Sequence, residues 1–270
     1  MGHIRIRFRS ALLGAAVLFT SIASAGWNLS FNAKKTEFTL SDDADNWVLT
    51  GTVKNGTELT IYSPKQGTGD LDLSDFVGPN GEQIVAFYQG SNGTGSPFVT
   101  NELTSVKVPA TVKSLGSRAF QNCDQLASVD FPGVETIASL AFAGCPSLVS
   151  VEFPSAVTVS DQVFLSCSAL EEASFPSVVT FTGKGYASTF PPSLKKVTLG
   201  ESLTKIGPYV FSDCTLLETI LPAVLPNLTS INSSAFKNVP CQRFPAMPAL
   251  TQILCTQGGS FTGSGIAEAN

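Results

Sequence analysis

The sequence predicts an α/β-type solenoid, in which coils of 22–24 residues each contribute one short strand to a parallel sheet. The segment Leu126–Pro132 (LASVDFP) recurs 22 residues later as Leu148–Pro154 (LVSVEFP). Phe142 and Cys145 recur at the same distance. The 270-residue chain is 43% hydrophobic and only 14% charged, which suits one long continuous core.

The N-terminus predicts a signal peptide over residues 1–25. The basic segment Arg5–Arg9 precedes the uncharged apolar run Ala11–Ile22, and the small residues Ala23–Ala25 follow. The alternative is a membrane helix, but a span needs about 20 apolar residues and this run is shorter. We therefore expect cleavage after Ala25 and export of the mature chain, with no membrane span in it.

Residues 26–66 predict a β-rich N-terminal cap. Short aromatic and β-branched runs at Trp27–Phe31, Thr36–Leu40 and Trp47–Val53 are separated by turn clusters, and Asn55-Gly56 is a hairpin signal. The end of a solenoid exposes unpaired strand edge and apolar surface, so a covering element is expected. A small independent β-domain is the alternative.

Residues 67–255 are predicted to form the repeats. The repeat pattern is degenerate over residues 67–102 and clear over residues 103–241. In each clear unit a proline ends the strand, because proline has no amide hydrogen to donate to the ladder. Phe98, 22 residues before Phe120, marks the degenerate unit. The fourth clear unit has Gly183–Tyr186 and Pro191-Pro192 where Phe-x-x-Cys is expected. Residues 256–270 predict a frayed tail.

The repeated motif, Leu-x-x-Val-x-Phe-Pro followed by Ile-x-x-x-x-Phe-x-x-Cys, resembles the BspA-like leucine-rich repeat family over roughly residues 67–241. The resemblance implies a solenoid with a parallel sheet on one face. It also implies a secreted or surface-displayed protein linked to adhesion and protein binding. It implies no catalytic residues, because all motif positions are core positions.

The six cysteines all lie in the part predicted to be exported, where disulfides are chemically possible. Four occupy one repeat position, namely Cys123, Cys145, Cys167 and Cys214. Their side chains run parallel on stacked coils, so we expect buried free thiols that pack as small hydrophobic groups. Cys241 and Cys255 lie outside this ladder, and a disulfide between them and two free thiols are equally open interpretations.

The composition excludes several function classes. The single histidine, His3, lies in the predicted signal peptide, so the mature chain lacks the base of Ser-His-Asp and Cys-His catalysis. The net charge of −5 without a basic cluster argues against nucleic acid. Neither a cofactor nor a metal is predicted. The acidic run Asp42–Asn46 is interpreted as a solvated turn, since it lacks the glycine and distant glutamate of a calcium loop.

An enzyme is therefore not expected. The remaining enzymatic hypothesis is a carbohydrate-active solenoid, whose two carboxylates must flank one bond. Glu171 and Glu172 are the only adjacent pair in the repeats, and neighbours along a strand point to opposite sides.

The leading hypothesis is a non-catalytic protein-binding or adhesion module, whose partner is a protein or a surface glycan. A purely structural surface or matrix component is the alternative. Function is expected on irregular loops and exposed strand positions, since core positions are committed to packing. The candidate partner-binding residues are Lys184, Tyr186, Tyr88, Lys107, Asp130, Glu152, Glu172 and Lys196.

Overall fold

The computed structural model describes residues 19–22, 26–42, 46–88, 98, 102–183, 187–232, 234–240 and 244–253. The strands are β1 (Phe19–Ile22), β2 (Trp27–Phe31), β3 (Glu37–Asp42), β4 (Val48–Lys54), β5 (Glu58–Gln66), β6 (Gly69–Asp72), β7 (Gln83–Phe87), β8 (Leu103–Lys107), β9 (Ser114–Leu115), β10 (Ser128–Asp130), β11 (Thr136–Ile137), β12 (Ser150–Glu152), β13 (Thr158–Val159), β14 (Glu172–Phe175), β15 (Thr180–Phe181), β16 (Lys196–Leu199), β17 (Lys205–Ile206), β18 (Thr219–Leu221), β19 (Ser230–Ile231) and β20 (Gln252–Ile253).

The strands of the N-terminal segment form an antiparallel meander from β1 to β5. Leu29, Leu40 and Leu49 are paired across β2, β3 and β4 and are fully buried. Strand β5 then pairs in parallel with β7, so the meander is hydrogen-bonded into the sheet of the repeats. The Trp47 indole also donates to the Asp70 carbonyl at 2.9 Å. The predicted boundary of the cap stays a prediction.

Two sheets run along the repeats. Sheet 1 continues from β5 through the odd-numbered strands β7–β19 to β20. Sheet 2 has two parts, one ordered β6-β8-β10 and the other β12-β14-β16-β18. All these repeat strands pair in parallel, as at Ile137 beside Val159 and Val197 beside Ile220. The predicted parallel solenoid is confirmed.

The structure adds a second strand to each regular coil. The sequence predicts one strand in each coil, but Thr136-Ile137 and its counterparts form the further short strands of sheet 1. Each has one outward polar residue and one buried residue, which is the two-residue period of a strand. The described residues contain no helix, so the α/β label describes this solenoid only loosely.

The third side of each coil is a turn with a regular backbone. Two residues four apart have positive φ, as at Leu140 (62°) and Gly144 (74°). The Phe142 amide donates to the Val163 carbonyl of the next coil at 3.0 Å. The Gly144 amide donates likewise to Leu165 at 2.7 Å. These turns therefore stack through their own hydrogen bonds, which satisfy backbone amides and carbonyls that the strand ladders do not pair.

A column of phenylalanine rings fills the centre of the coils. Its members are Phe98, Phe120, Phe142, Phe164, Phe190, Phe211 and Phe236, with neighbouring centroids 5.0–5.7 Å apart. Phe98 stacks on Phe120, as their 22-residue spacing predicts. The expectation that the fourth unit lacks its phenylalanine is wrong. Phe190, directly before the two prolines, stacks between Phe164 and Phe211.

Strand β1 lies inside the segment predicted to be removed as a signal peptide. It pairs with β2 from Phe19 opposite Phe31 to Ile22 opposite Asn28. Cleavage after Ala25 stays a prediction. The described part of the chain contains no helix of the length and hydrophobicity needed to cross a membrane.

Candidate binding face

The outward residues of sheet 2 form two columns, which together are named the polar face. The first column is Asp70, Ser105, Ser128, Ser150, Glu172, Lys196 and Thr219. The second column is Asp72, Lys107, Asp130, Glu152, Ser174, Thr198 and Leu221. Five of the eight predicted partner-binding residues therefore lie on one surface.

Ion pairs engage much of the C-terminal half of the polar face. The Lys196 ammonium lies 3.3 Å from the Glu172 carboxylate, in the next coil. Beside this pair, Lys195 lies 2.7 Å from Glu171. All four side chains are about half exposed, so each pair contributes roughly 0–1 kcal/mol. Glu171 and Glu172 thus form ion pairs with two different lysines.

The N-terminal end of the polar face holds two ionised carboxylates. Ser105 and Thr104 donate hydroxyl hydrogen bonds to Asp70 at 2.5 and 2.8 Å, and these bonds lower the pKa of Asp70. A hydrogen bond from the Ser74 hydroxyl likewise lowers the pKa of Asp72. Lys107 lies 3.9 Å from Asp72. Both carboxylates therefore stay charged at neutral pH.

Sheet 2 is interrupted in the middle of the polar face. Strand β10 ends its first part and β12 begins the second, so Asp130 and Glu152 lie on adjacent coils on either side of the break. Two like charges on neighbouring strands oppose close pairing. Within the described residues, neither carboxylate has a cation within 4 Å. Val149, beside the break, is 53% exposed, more than any other large hydrophobic residue described.

The remaining candidates lie elsewhere. Tyr88 directly follows β7 of sheet 1, where its ring lies 6.4 Å from that of Tyr62 and packs over Gly116. Lys184 and Tyr186 lie outside the described residues, as do Cys241 and Cys255. The possible disulfide between these two cysteines therefore stays a prediction.

The cysteine ladder is structural. Cys123, Cys145, Cys167 and Cys214 are buried thiols rather than disulfides, as the sequence predicts. The Cys145 thiol donates to the Phe120 carbonyl at 3.1 Å, and Cys167 donates to Phe142 at 3.0 Å. Hydrogen bonding between neighbouring thiols, together with burial, raises the pKa of Cys145 and of Cys167. Burial raises the pKa of Cys214 to about 12. Such thiols are poor nucleophiles.

Exposed hydroxyls join successive coils. Ser155 donates to the Pro132 carbonyl at 2.7 Å, and Ser177 donates to Pro154 at 2.6 Å. Ser147 donates in the same way to Asp124 at 2.7 Å. Much of the small polar surface that the sequence shows is therefore used for stacking, which leaves the charged residues of the polar face as candidates for recognition.

The sequence also matches a known family. Residues 96–218 and 188–264 match the model of the BspA type leucine-rich repeat region, in six copies. The two ranges together span more than half of the chain. The chain belongs to the BspA-type leucine-rich repeat family. A solved structure of a leucine-rich repeat protein shares its fold.

Similar solved structures include the Treponema pallidum leucine-rich repeat protein TpLRR, 23% identical, with a TM-score of 0.59 over 76% of this chain and 91% of that one. A leucine-rich repeat protein from Bacteroides ovatus is 21% identical, with a TM-score of 0.49. The match covers 77% of this chain but only 60% of the B. ovatus chain. No curated protein matched the sequence. Identities this low show the fold and nothing more specific.

Sequence reasoning missed three features of the surface. The break in sheet 2 has no marker in the motif, because Val129 and Val151 are both ordinary strand residues. Val149 aligns with Ala127 and Glu171, and a valine where these units have a small or a charged residue was the available signal. The contact between the rings of Tyr62 and Tyr88 was missed because these residues are 26 positions apart, a distance that differs from the repeat period.

Proposed function

We propose that this chain is a secreted or surface-displayed, non-catalytic module that binds a protein partner through the polar face. The supporting observation is the break in sheet 2, where Asp130 and Glu152, on its two sides, have no cation within 4 Å among the described residues. Val149, three residues before Glu152, is exposed beside the same break. An apolar centre with charges around it is the ordinary arrangement of a protein–protein interface. The partner is a protein surface that presents basic side chains around an apolar residue.

Charge and family membership both support this proposal. The net charge is −5, and the uncommitted charges of the polar face are carboxylates, which attract basic surfaces and accelerate association. Leucine-rich repeat proteins commonly bind proteins, and one similar structure is described as a cell surface protein, from Faecalibacterium prausnitzii. Export would follow from the signal peptide predicted over residues 1–25.

The alternatives are weaker on the same surface. A glycan-binding face favours exposed aromatic rings, and the polar face has none among its outward residues. A carboxylate-dependent hydrolase needs two free carboxylates facing one bond, whereas Glu171 and Glu172 are each engaged by a lysine. A purely structural role makes a different prediction, which is self-assembly of the chain without a saturable ligand.

The test uses the secreted mature chain on arrays of purified extracellular proteins and of glycans. We expect saturable binding to a protein with a basic surface, weakening with salt as charge-assisted association does. The triple variant Val149→Ser, Asp130→Lys, Glu152→Lys should bind at least about tenfold more weakly, because it removes the apolar centre and reverses both charges.

The control variant is Asp124→Lys with Glu201→Lys, which makes the same change in net charge at exposed positions away from the polar face. It should bind as the unmodified chain does. Binding that survives the triple variant contradicts the assignment of the face, and binding confined to glycans contradicts the protein partner. An absence of any saturable ligand, with self-assembly of the chain, favours the structural role.

A further inference from the structure

Among the described residues, β1 alone covers the edge of sheet 1 at its N-terminal end. Four residues of β1 pair antiparallel with β2, from Phe19 opposite Phe31 to Ile22 opposite Asn28. All four belong to the segment whose removal after Ala25 is proposed above. Cleavage there leaves Gly26 as the only residue before Trp27, so β2 becomes the edge strand of the mature chain.

The hydrogen bonds of the hairpin show which backbone groups become unpaired. The Asn32 amide donates to the Glu37 carbonyl at 3.0 Å, which makes these two residues a hydrogen-bonded pair of the β2–β3 ladder. Such pairs alternate along an antiparallel ladder, so Trp27, Leu29 and Phe31 turn their amides and carbonyls away from β3 and toward β1. Removal of β1 leaves these three residues with a row of vacant donors and acceptors.

Strand β2 has none of the features that usually protect an edge strand. Its five residues, Trp27–Phe31, include no charged residue and no proline, and its register with β3 is continuous, without a bulge. An edge of this kind is a ready template for another strand. Strand β20 at the other end of sheet 1 has only two residues, Gln252 and Ile253, and offers a much shorter edge.

We propose that the mature chain forms a two-fold symmetric dimer, in which the β2 strands of two copies pair antiparallel. Pairing centred on Leu29 is self-complementary, as a two-fold interface requires. Leu29 then faces its own counterpart, and Trp27 lies opposite Phe31 of the second copy on the inner side. Asn28 lies opposite Ser30 on the outer side. Aromatic pairs and amide–hydroxyl pairs are both favourable across strands.

The dimer extends sheet 1 through both copies and presents two polar faces on one particle. Two linked sites raise the avidity for a surface that carries many partners. The pairing of two five-residue strands buries less surface area than a standard interface. The fraction of dimer therefore depends on the concentration of the chain. The inference goes beyond the proposed function and does not depend on the identity of the partner. It does rest on cleavage after Ala25.

The experiment is sedimentation velocity of the secreted mature chain from about 1 to about 200 μM, after intact mass has established its first residue. We expect a monomer–dimer equilibrium. Ser30→Lys and Ser30→Asp should each raise the dissociation constant at least about tenfold, because residues 30 of the two copies are diagonal neighbours with like charges. An equimolar mixture of the two variants should restore the dimer.

The matched control is Thr52→Lys on β4, an outward position two strands away from the edge, which should leave the dissociation constant unchanged. Circular dichroism verifies that each variant is folded. A mature chain that starts at Gly26 and stays monomeric overturns the proposal, and so does a dimer that tolerates Ser30→Lys or a mixture that stays monomeric. A secreted chain that retains Phe19–Ile22 overturns it as well. Partner binding by a monomer leaves the proposed function intact.

Discussion

The rings of Phe190 and Phe211 are parallel to within 2°, with their centroids 5.1 Å apart. This contact continues the phenylalanine column through the coil in which the repeat motif is lost. Phe190 is followed by Pro191-Pro192 instead of the usual residues before a cysteine, yet it is fully buried between Phe164 and Phe211. The solenoid therefore tolerates a change in turn and coil length as long as one large ring remains at its centre.

Replacement of Phe190 should destabilise the solenoid strongly. We expect Phe190→Ala to lower the free energy of unfolding by about 3–5 kcal/mol, because a fully buried ring leaves a cavity and two stacked neighbours lose their contacts. Phe190→Leu should cost less, since it refills part of the space. Urea denaturation followed by circular dichroism measures both. Pro192→Ala at the neighbouring exposed position is the control, and a Phe190→Ala loss below about 1 kcal/mol would contradict the packing argument.

Gly133 should not accept a side chain. A Cβ at this position would lie 1.9 Å from the Ala110 carbonyl oxygen of the preceding coil. Because the obstacle is backbone, we expect Gly133→Ala to cost about 1–3 kcal/mol through overpacking. Ser155 occupies the same place in the next coil, and Ser155→Ala should cost only about 0.5–1.5 kcal/mol through its lost bond to Pro132. Equal urea concentrations at the midpoint of unfolding for both variants would show that the coils adjust freely.

The cysteine ladder should be unreactive while the protein is folded. The thiolate is the reactive form. Hydrogen bonding and burial raise the pKa of Cys145 and Cys167, and burial raises the pKa of Cys214. In a variant with Cys241→Ser and Cys255→Ser, we expect alkylation by iodoacetamide at pH 8 to be at least about 100-fold slower in the folded chain than in urea. Mass spectrometry identifies the modified residues, and rapid labelling of Cys145 in the folded chain would refute its burial.

The stability contribution of Asp213 should be lost in acid. The Asn238 amide donates to its carboxylate at 2.7 Å, and this bond, with a second from Ser212, lowers the pKa of Asp213. A lowered pKa means that the contribution is complete above the unfolded value of about 3.9 and disappears as the pH falls through the folded value.

Asn238→Gly removes this bond and keeps the positive φ of 59° accessible. We expect it to lower the free energy of unfolding by less than about 1 kcal/mol at pH 7, and by less still at pH 2–3. Asn122→Gly, at the equivalent turn position with φ 58°, is the control and should show a loss that does not depend on pH. A pH-independent loss in Asn238→Gly would exclude the carboxylate as its cause.

The regular repeats were predictable because the same core residues recur in every coil. Leu126 and Leu148, or Phe142 and Phe164, recur at one spacing, and stacked coils repeat their contacts at that spacing. The buried thiols followed from the same argument. Phe190 was not predicted because the repeat motif joins the phenylalanine to a cysteine, whereas packing requires only the ring. The second strand in each coil was missed because two-residue strands are too short to show a period.

By itself the sequence determined the solenoid, its direction of stacking and the residues of its core, because these are local and repeated. Only the tertiary structure decided the surface. The break between β10 and β12 depends on the fit of whole coils, which no single motif position encodes. The ion pairs of Lys195 and Lys196 depend on which side chains meet across coils. These non-local contacts leave Asp130 and Glu152 of the polar face, together with Val149 beside the break, open to a partner.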